Sequence, residues 1–269
     1  MLRYFYLSFL IFLLACQPAS SEQAIEQPQT TDSSEEVPEE KEPPFDIDLE
    51  YVMGKFDPAK DTAFVLIEQK YADRAGLYLR KESYQAFQAM HAAALKDGVR
   101  LIIRSATRNF NYQKRIWEGK WTGSRLVEGK NLSKTIANPK TRALKILELS
   151  SMPSTSRHHW GTDIDLNAFT NEYFEKGEGL KIYSWLQEHA ASFGFCQPYL
   201  PKGEGGRPHG YNEEKWHWSY LPLAVPLTDF ARSNMKDSLI TGFKGSEVAT
   251  EIGVVQKYIL GINPSCQHK

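Results

Sequence analysis

Three cysteines in 269 residues are too few for a small fold built on disulfides. An excess of charge of one sign is missing too: 32 Lys and Arg stand against 33 Asp and Glu, a formal net charge of −1. A dedicated nucleic-acid binder carries a basic footprint, and this chain has none. The single long apolar stretch lies at the start, which excludes a multispanning membrane protein. No glycine-rich phosphate loop follows a strand-like run, and no internal repeat is visible. What is present is a 41% share of hydrophobic residues, enough to pack a core in one sizeable domain with appendages. A mid-sized enzyme or binding domain remains.

Residues 1–15 read as an address rather than as part of the fold. Arg3 supplies a short positive region, and Tyr4 to Leu14 form an apolar run too short to span a bilayer comfortably. The run ends Leu13-Leu14-Ala15-Cys16, which resembles the lipobox of bacterial lipoprotein signals, where the cysteine is lipidated and becomes the new N-terminus. An ordinary secretory signal with a chance cysteine is the alternative, and export is expected either way. Residues 16–44 then read as an acidic, proline-rich, unfolded tether: Glu35, Glu36, Glu39, Glu40 and Glu42 crowd around Pro38, Pro43 and Pro44, with Lys41 the one basic residue. Gln17, in place of an aspartate, resembles the sorting pattern for the outer membrane. The expected location is the periplasmic side of the outer membrane or the cell surface, with membrane contact through the lipid anchor only.

From 45 to 269 the composition is that of a folded domain. The spacing predicts a helix over Ser83 to Lys96, with Tyr84, Phe87, Met90, Ala94 and Leu95 inward and Gly98 as its stop. A short buried strand is expected over Val99 to Ile103, and another over Thr162 to Asn167. Asn138-Pro139 starts a helix through Leu144 and Leu147. Gly179 to Phe193 looks helical, with Ile182, Trp185, Leu186 and Phe193 inward and Gly194 as terminator. Prolines and glycines make Gln197 to Asn212 a loop, Trp216 to Tyr220 a strand follows, and a last helix from Ser246 aligns Val248, Ile252, Val255 and Ile259. Few, short strands among helices predict an α+β fold, a small central antiparallel sheet flanked by helices, rather than a doubly wound parallel one.

Two segments concentrate side chains able to hold a metal. The first runs Ser156-Arg157-His158-His159-Trp160-Gly161-Thr162-Asp163-Ile164-Asp165, and the second Glu213-Glu214-Lys215-Trp216-His217-Trp218. Catalytic zinc typically takes three N/O ligands and keeps a fourth position for water, and His158, Asp165 and His217 supply such a set. Glu214 is then the candidate base for that water. In a regular strand, residues three apart point to opposite faces, so Glu214 and His217 can share a site only if the chain turns or bulges between them. Asp163 and Asp165 share strand parity, so either can face the metal.

The first segment matches the S-x-H-x-x-G-x-x-x-D core of the VanY-type zinc D-Ala-D-Ala carboxypeptidases, and the second matches their E-x-W-H segment. Over roughly Tyr78 to Tyr220 the order of motifs also resembles that family. The resemblance implies a hedgehog/DD-peptidase-like fold, one zinc ion on His158, Asp165 and His217, and Glu214 as catalytic base. Ser105-Ala106-Thr107-Arg108-Asn109 looks like the family's S-G-Y-R-S segment, with Ala106 and Thr107 in place of its glycine and tyrosine. By that likeness Arg108 contacts substrate and the developing oxyanion, and Gln113, after Tyr112, lines the substrate site. Ser156 is taken to support the substrate or the metal ligands. Where the family usually has a small residue this chain has Asp163; the family's spacing selects Asp165 as the ligand.

The expected activity is hydrolysis of the C-terminal D-amino-acid bond of peptidoglycan stem peptides by a monomer that engages no nucleic acid. An L,D-carboxypeptidase or a cross-link endopeptidase on the same site is the nearest alternative, and a zinc-holding cell-wall binding module with no catalysis is the more distant one. His91, His189 and His268 are read as structural. His159 is read as a residue behind the ligands or at the surface, and His209 is weighed as a cleft residue against an ordinary loop position. Trp160, Trp216 and Trp218 are read as packing around the site. With Cys16 lipidated, Cys196 and Cys266 remain, and in an oxidising compartment a bridge between them would pin the C-terminal segment.

Overall fold

Asp48 caps the first helix of the domain, its carboxylate accepting the Tyr51 N–H at 2.7 Å ahead of α1 (Leu49–Val52). The computed structural model describes residues 46–267; the expected signal, Cys16 and the acidic tether lie outside the described residues. β1 (Phe64–Leu66) and β2 (Tyr78–Arg80) pair antiparallel, and α2 (Lys81–Lys96) follows directly. That helix buries Tyr84, Phe87, Met90 and Ala94 as the spacing predicts, while Leu95 is exposed.

β3 (Ile103–Ser105) starts later than the apolar run suggested. Val99 and Leu101 are buried, but the side chain of Asn167 takes the backbone there: its Oδ1 accepts the Ile102 N–H and its Nδ2 donates to the Arg100 carbonyl. A side chain has replaced a strand partner. Asn109 caps α3 (Phe110–Thr122), accepting the Tyr112 N–H at 2.9 Å, and Gly123 closes it in the left-handed conformation. α4 (Leu132–Thr135) precedes α5 (Pro139–Ile146), which starts on Asn138 and Pro139 as expected and buries Ala143 and Ile146. Leu147 is buried just beyond it, and Leu144 faces out.

β4 (Asp163–Leu166) and α6 (Gly177–His189) lead through a single 3₁₀ turn to Gly194 and β5 (Phe195–Cys196). β6 (His217–Tyr220) runs into α7 (Leu221–Asn234). The pattern gave no expectation for α3 or α7. Proline breaks a helix interior but is tolerated in a first turn, where Pro222 sits, and the buried face of Leu223, Leu227 and Ala231 outweighs the interior Pro226. The expected last helix divides. α8 (Ala249–Ile252) stops at Gly253, left-handed at φ 73°, and the chain starts a new turn at Val255, whose N–H donates to Asp237 Oδ1. Val248, Ile252, Val255 and Ile259 are buried all the same.

The main sheet is antiparallel, in the order β3-β4-β6-β5. It separates two apolar clusters. Ile164, Leu166 and Trp218 belong to one, with Phe87 and Met90 of α2 and Ile182 and Leu186 of α6. The other gathers Trp117 and Trp121 of α3, Ile146, Leu227 of α7 and the C-terminal Ile259. This is the α+β arrangement, and among the described residues no helix is long and apolar enough to cross a membrane.

Candidate metal centre

Side chains alternate across a strand, so Asp163 and Asp165 project from one face of β4, opposite to Ile164 and Leu166. Antiparallel pairing sets Asp165 against His217 and Asp163 against Ser219. His158 arrives from a 3₁₀ turn, Arg157–Trp160, closed by Gly161 at φ 71°. A Cβ at Gly161 would stand 2.4 Å from Phe64 Cε1, so only glycine lets the chain reverse here into β4. The result brings one ligand atom from each of His158, Asp165 and His217 within 4.8 Å of one another, all three residues buried.

The tautomers follow from the partners. His158 Nδ1 lies 2.9 Å from the Ala106 carbonyl, which can only accept, so the proton sits there and Nε2 is left buried with no hydrogen-bond partner among the described residues, 3.3 Å from Asp165 Oδ2. His217 turns Nε2 to Asp163 Oδ2 at 2.8 Å and Nδ1 to Asp165 Oδ1 at 3.0 Å. Burial works to lower the His217 pKa, but its hydrogen bonds to the two aspartates outweigh that and push it up to about 9. Burial, then the charge of Arg108, lowers His158. Asp165 is held below the usual carboxylate range because, against the cost of burial, His158 and His217 both stabilise its charge. An orphaned imidazole nitrogen, a second imidazole and a carboxylate converging in a buried space fit a divalent cation of the zinc class.

Parity left the two aspartates open. Asp165 stands between the imidazoles, whereas Asp163 lies behind His217. Asp163 also accepts from Arg157 Nε at 3.2 Å, Thr162 Oγ1 at 2.6 Å and Ser219 Oγ at 2.7 Å. Arg157 in turn donates to Thr228 Oγ1 and Ser219 Oγ and lies over the Trp160 ring. Asp163 therefore orients His217 from the far side, as a carboxylate behind a ligating histidine does.

Glu214 reaches the same place because β6 begins only at His217. The His217 N–H donates to the Glu214 carbonyl at 3.2 Å, a turn that brings Glu214 Oε2 to 3.6 Å from His217 Nδ1. Burial raises the Glu214 carboxyl to about 8, with Asp165 adding to the rise and His217, Arg108 and Lys120 opposing it. A cleft of about 370 Å³ opens over these groups. Arg108, Gln113 and Ser156 all line it. Gln113 Nε2 donates to the Ser151 carbonyl at 2.7 Å, while Gln113 Oε1, Ser156 Oγ and Arg108 Nε are buried without partners among the described residues.

His159 does not line the cleft. Fully buried, it donates from Nδ1 to the Arg108 carbonyl and accepts the Ser154 N–H at Nε2, bracing two loop segments. His209 is exposed and does not line the cleft. Of the tryptophans, Trp216 forms part of the cleft wall, and Trp160 and Trp218 pack beneath. The sequence reading missed Lys120, Arg125, Tyr199 and Tyr211, all on the lining. For Lys120 a signal existed, since Gln113, Ile116 and Lys120 repeat at helical spacing.

Residues 76–223, more than half of the 269, match the family model described as VanY: D-alanyl-D-alanine carboxypeptidase. An uncharacterized protein of Haemophilus influenzae is 30% identical over 90 residues, 28% of this chain and 65% of that protein. The putative carboxypeptidase YodJ of Bacillus subtilis is 27% identical over 175 residues, 62% of this chain and 55% of YodJ. The chain thus spans between about half and two thirds of the length of these curated relatives. Among solved structures, a VanY D,D-pentapeptidase in complex with Zn(II) aligns at 24% identity and a TM-score of 0.46, covering 64% of this chain and 86% of that one. The LdcB LD-carboxypeptidase aligns at 21% identity and 0.47, covering 68% and 77%.

Proposed function

The chain belongs to the VanY D-alanyl-D-alanine carboxypeptidase family, and from that membership we propose that it is a zinc-dependent D,D-carboxypeptidase trimming peptidoglycan stem peptides. The observation that carries the proposal is the buried convergence of His158, Asp165 and His217 with Glu214 beside it. One ion would be held by His158 Nε2, His217 Nδ1 and a carboxylate oxygen of Asp165. Bound there, zinc supplies Lewis acidity, lowering the pKa of a coordinated water to about 7 and polarising a carbonyl.

The remaining steps belong to this chain's own groups. Glu214 Oε2, 3.6 Å from His217 Nδ1, takes a proton from the attacking water and returns it to the leaving amine nitrogen. Arg108, its backbone fixed by the His158 carbonyl and by His159, offers its guanidinium to the carbonyl oxygen as negative charge builds there. Gln113 Oε1 and Ser156 Oγ, buried without partners among the described residues, are free to bind the peptide backbone. Asp163 keeps the His217 ring from rotating. Residues 1–44 extend the proposal: a lipidated Cys16 and an acidic tether would let the domain search an immobile polymer from a membrane anchor.

The test is mass spectrometry of purified muropeptides incubated with the mature protein, with and without a chelator, and after zinc is restored. The expected result is a chelator-sensitive loss of one alanine from pentapeptides. Loss from tetrapeptides would replace the D,D assignment by an L,D one, and cleaved cross-links would replace it by an endopeptidase. No change in any species, from protein shown to hold zinc, would sink the catalytic reading.

A further inference from the structure

The cleft carries more positive charge than the reaction above uses. α3 turns one face into it, with Gln113, Ile116 and Lys120 on the lining and Arg108 just ahead of the helix. Lys120 is half-buried, and its Nζ donates to Ser150 Oγ, a neutral partner. Among the described residues no carboxylate forms an ion pair with Lys120, Arg108 or Arg125. Arg125 joins the wall by a close approach: its Cγ and Cδ lie 3.0 Å from where a Cβ on Gly119 would stand, so the glycine makes room for its stem. Lys120, Arg108 and Arg125 line one cleft, and burial together with both guanidinium groups lowers the Lys120 ammonium pKa while Glu214 opposes them.

A half-buried ammonium beside two guanidinium groups is unfavourable until an anion arrives. Seven residues of helix, from Gln113 to Lys120, advance about 10 Å, and long helical side chains lean back toward the N-terminus. The ammonium therefore reaches toward the end of α3 where Arg108 and Gln113 stand. Lys120 lines the same cleft as Arg108, Gln113 and Glu214, and the C-terminal carboxylate lies one residue, about 3.3 Å of extended peptide, beyond the scissile bond. Arg108 is already engaged at the carbonyl oxygen. Lys120 and Arg125 are not.

We propose that Lys120, held by Ser150 and backed by Arg125, docks the C-terminal carboxylate of the substrate, so that the site selects chain ends over internal bonds. The inference rests on the carboxypeptidase reading of the metal centre and adds the feature that distinguishes exopeptidase from endopeptidase. Its test compares two stem peptides that differ only at the terminus, a free D-alanine acid and the matching amide. Binding is measured by calorimetry and hydrolysis by product release, on zinc-loaded wild type, Lys120→Met and Lys120→Arg.

Wild type is expected to favour the acid over the amide by about tenfold or more, the scale of a charge-assisted contact. In Lys120→Met that ratio should fall toward one, and Lys120→Arg should restore part of it. An unchanged ratio in folded Lys120→Met, checked by its melting curve, would overturn the proposal. So would a loss that follows a second carboxylate on a stem side chain instead of the terminus. If wild type binds the acid selectively but cleaves neither peptide, the catalytic reading has failed while the carboxylate subsite stands. Absence of acid selectivity in wild-type binding removes the subsite whatever the turnover.

Discussion

His158 and His159 are adjacent, and their environments assign them unrelated tasks. His158 leaves a nitrogen bare beside Asp165, whereas both His159 nitrogens are spent on backbone groups of Arg108 and Ser154. Burial drives the His159 pKa down to about 3. Its folded pKa is below the unfolded value near 6.5, so the unfolded chain binds the extra proton as pH falls from about 6 toward 3. Stability should therefore drop across that window by up to about 1.4 kcal/mol per pH unit from this one group. Denaturant melts of His159→Asn against wild type should show a shallower pH slope in the variant; identical slopes would mean that His159 is not held neutral. Glu214→Gln makes a second prediction at this scale. Turnover should fall by about 10²–10⁴-fold, the usual worth of a positioned proton carrier, with the zinc content of the purified protein unchanged. Retained hydrolysis would remove Glu214 from the mechanism. Both histidines were visible in the sequence as metal-capable residues, but no local pattern says which of two neighbouring rings meets a carbonyl and which meets a carboxylate.

At the scale of elements, the ligands depend on a turn and a strand pair. Gly161 lets the chain leave the His158 turn and enter β4, and it does so in the left-handed conformation against Phe64 and Arg80. Gly161→Ala should cost at least about 2 kcal/mol, since a left-handed L-residue alone costs roughly 1–2 kcal/mol and the methyl clashes as well. The same change should weaken zinc binding, because it displaces His158 from Asp165; melting curves and metal titration of one sample check both. The helix start at Asn138-Pro139 was legible because its residues are local, whereas the helix expected through Phe193 ends at His189 and Gly194 closes the 3₁₀ turn that follows it. α3 and α7 went unread, although α3 forms one wall of the cleft and α7 supplies the Thr228 that steadies Arg157. α3 carries Gly119 and buries the polar Gln113, and α7 carries Pro222 and Pro226 and buries Thr228, features that tertiary packing tolerates and a periodicity count does not.

For the molecule as a whole, the C-terminal segment is fastened back onto the sheet. Cys196 in β5 and Cys266 near the chain end form a disulfide across a sequence separation of 70 residues. Closing a loop of that length in the unfolded chain is worth about 4 kcal/mol on the chain-entropy model. Reduction should lower the melting temperature markedly, and free-thiol counting on denatured, unreduced protein should find neither of these two cysteines. A second whole-molecule expectation concerns the address in residues 1–15. Full-length protein expressed in bacteria should partition with membranes and incorporate a fatty-acid label, and Cys16→Ser should abolish both. Label-free, soluble wild type would leave an ordinary secretory signal.

The sequence alone carried the residue types of the site and their order, because a turn glycine, a cap and a strand alternation are encoded within a few positions of one another. It led to His158, Asp165, Glu214 and His217 as a set, and to an α+β domain. Strand parity left Asp163 and Asp165 equivalent and the family likeness selected Asp165; the tertiary structure supplies the reason, setting Asp165 between the rings and Asp163 behind one through a register between β4 and β6 that joins residues about fifty positions apart. It also decided that the chain turns between Glu214 and His217, and that Lys120 faces the same cleft. Pairing across such separations depends on which surfaces bury each other, and that is a property of the whole chain rather than of any window within it.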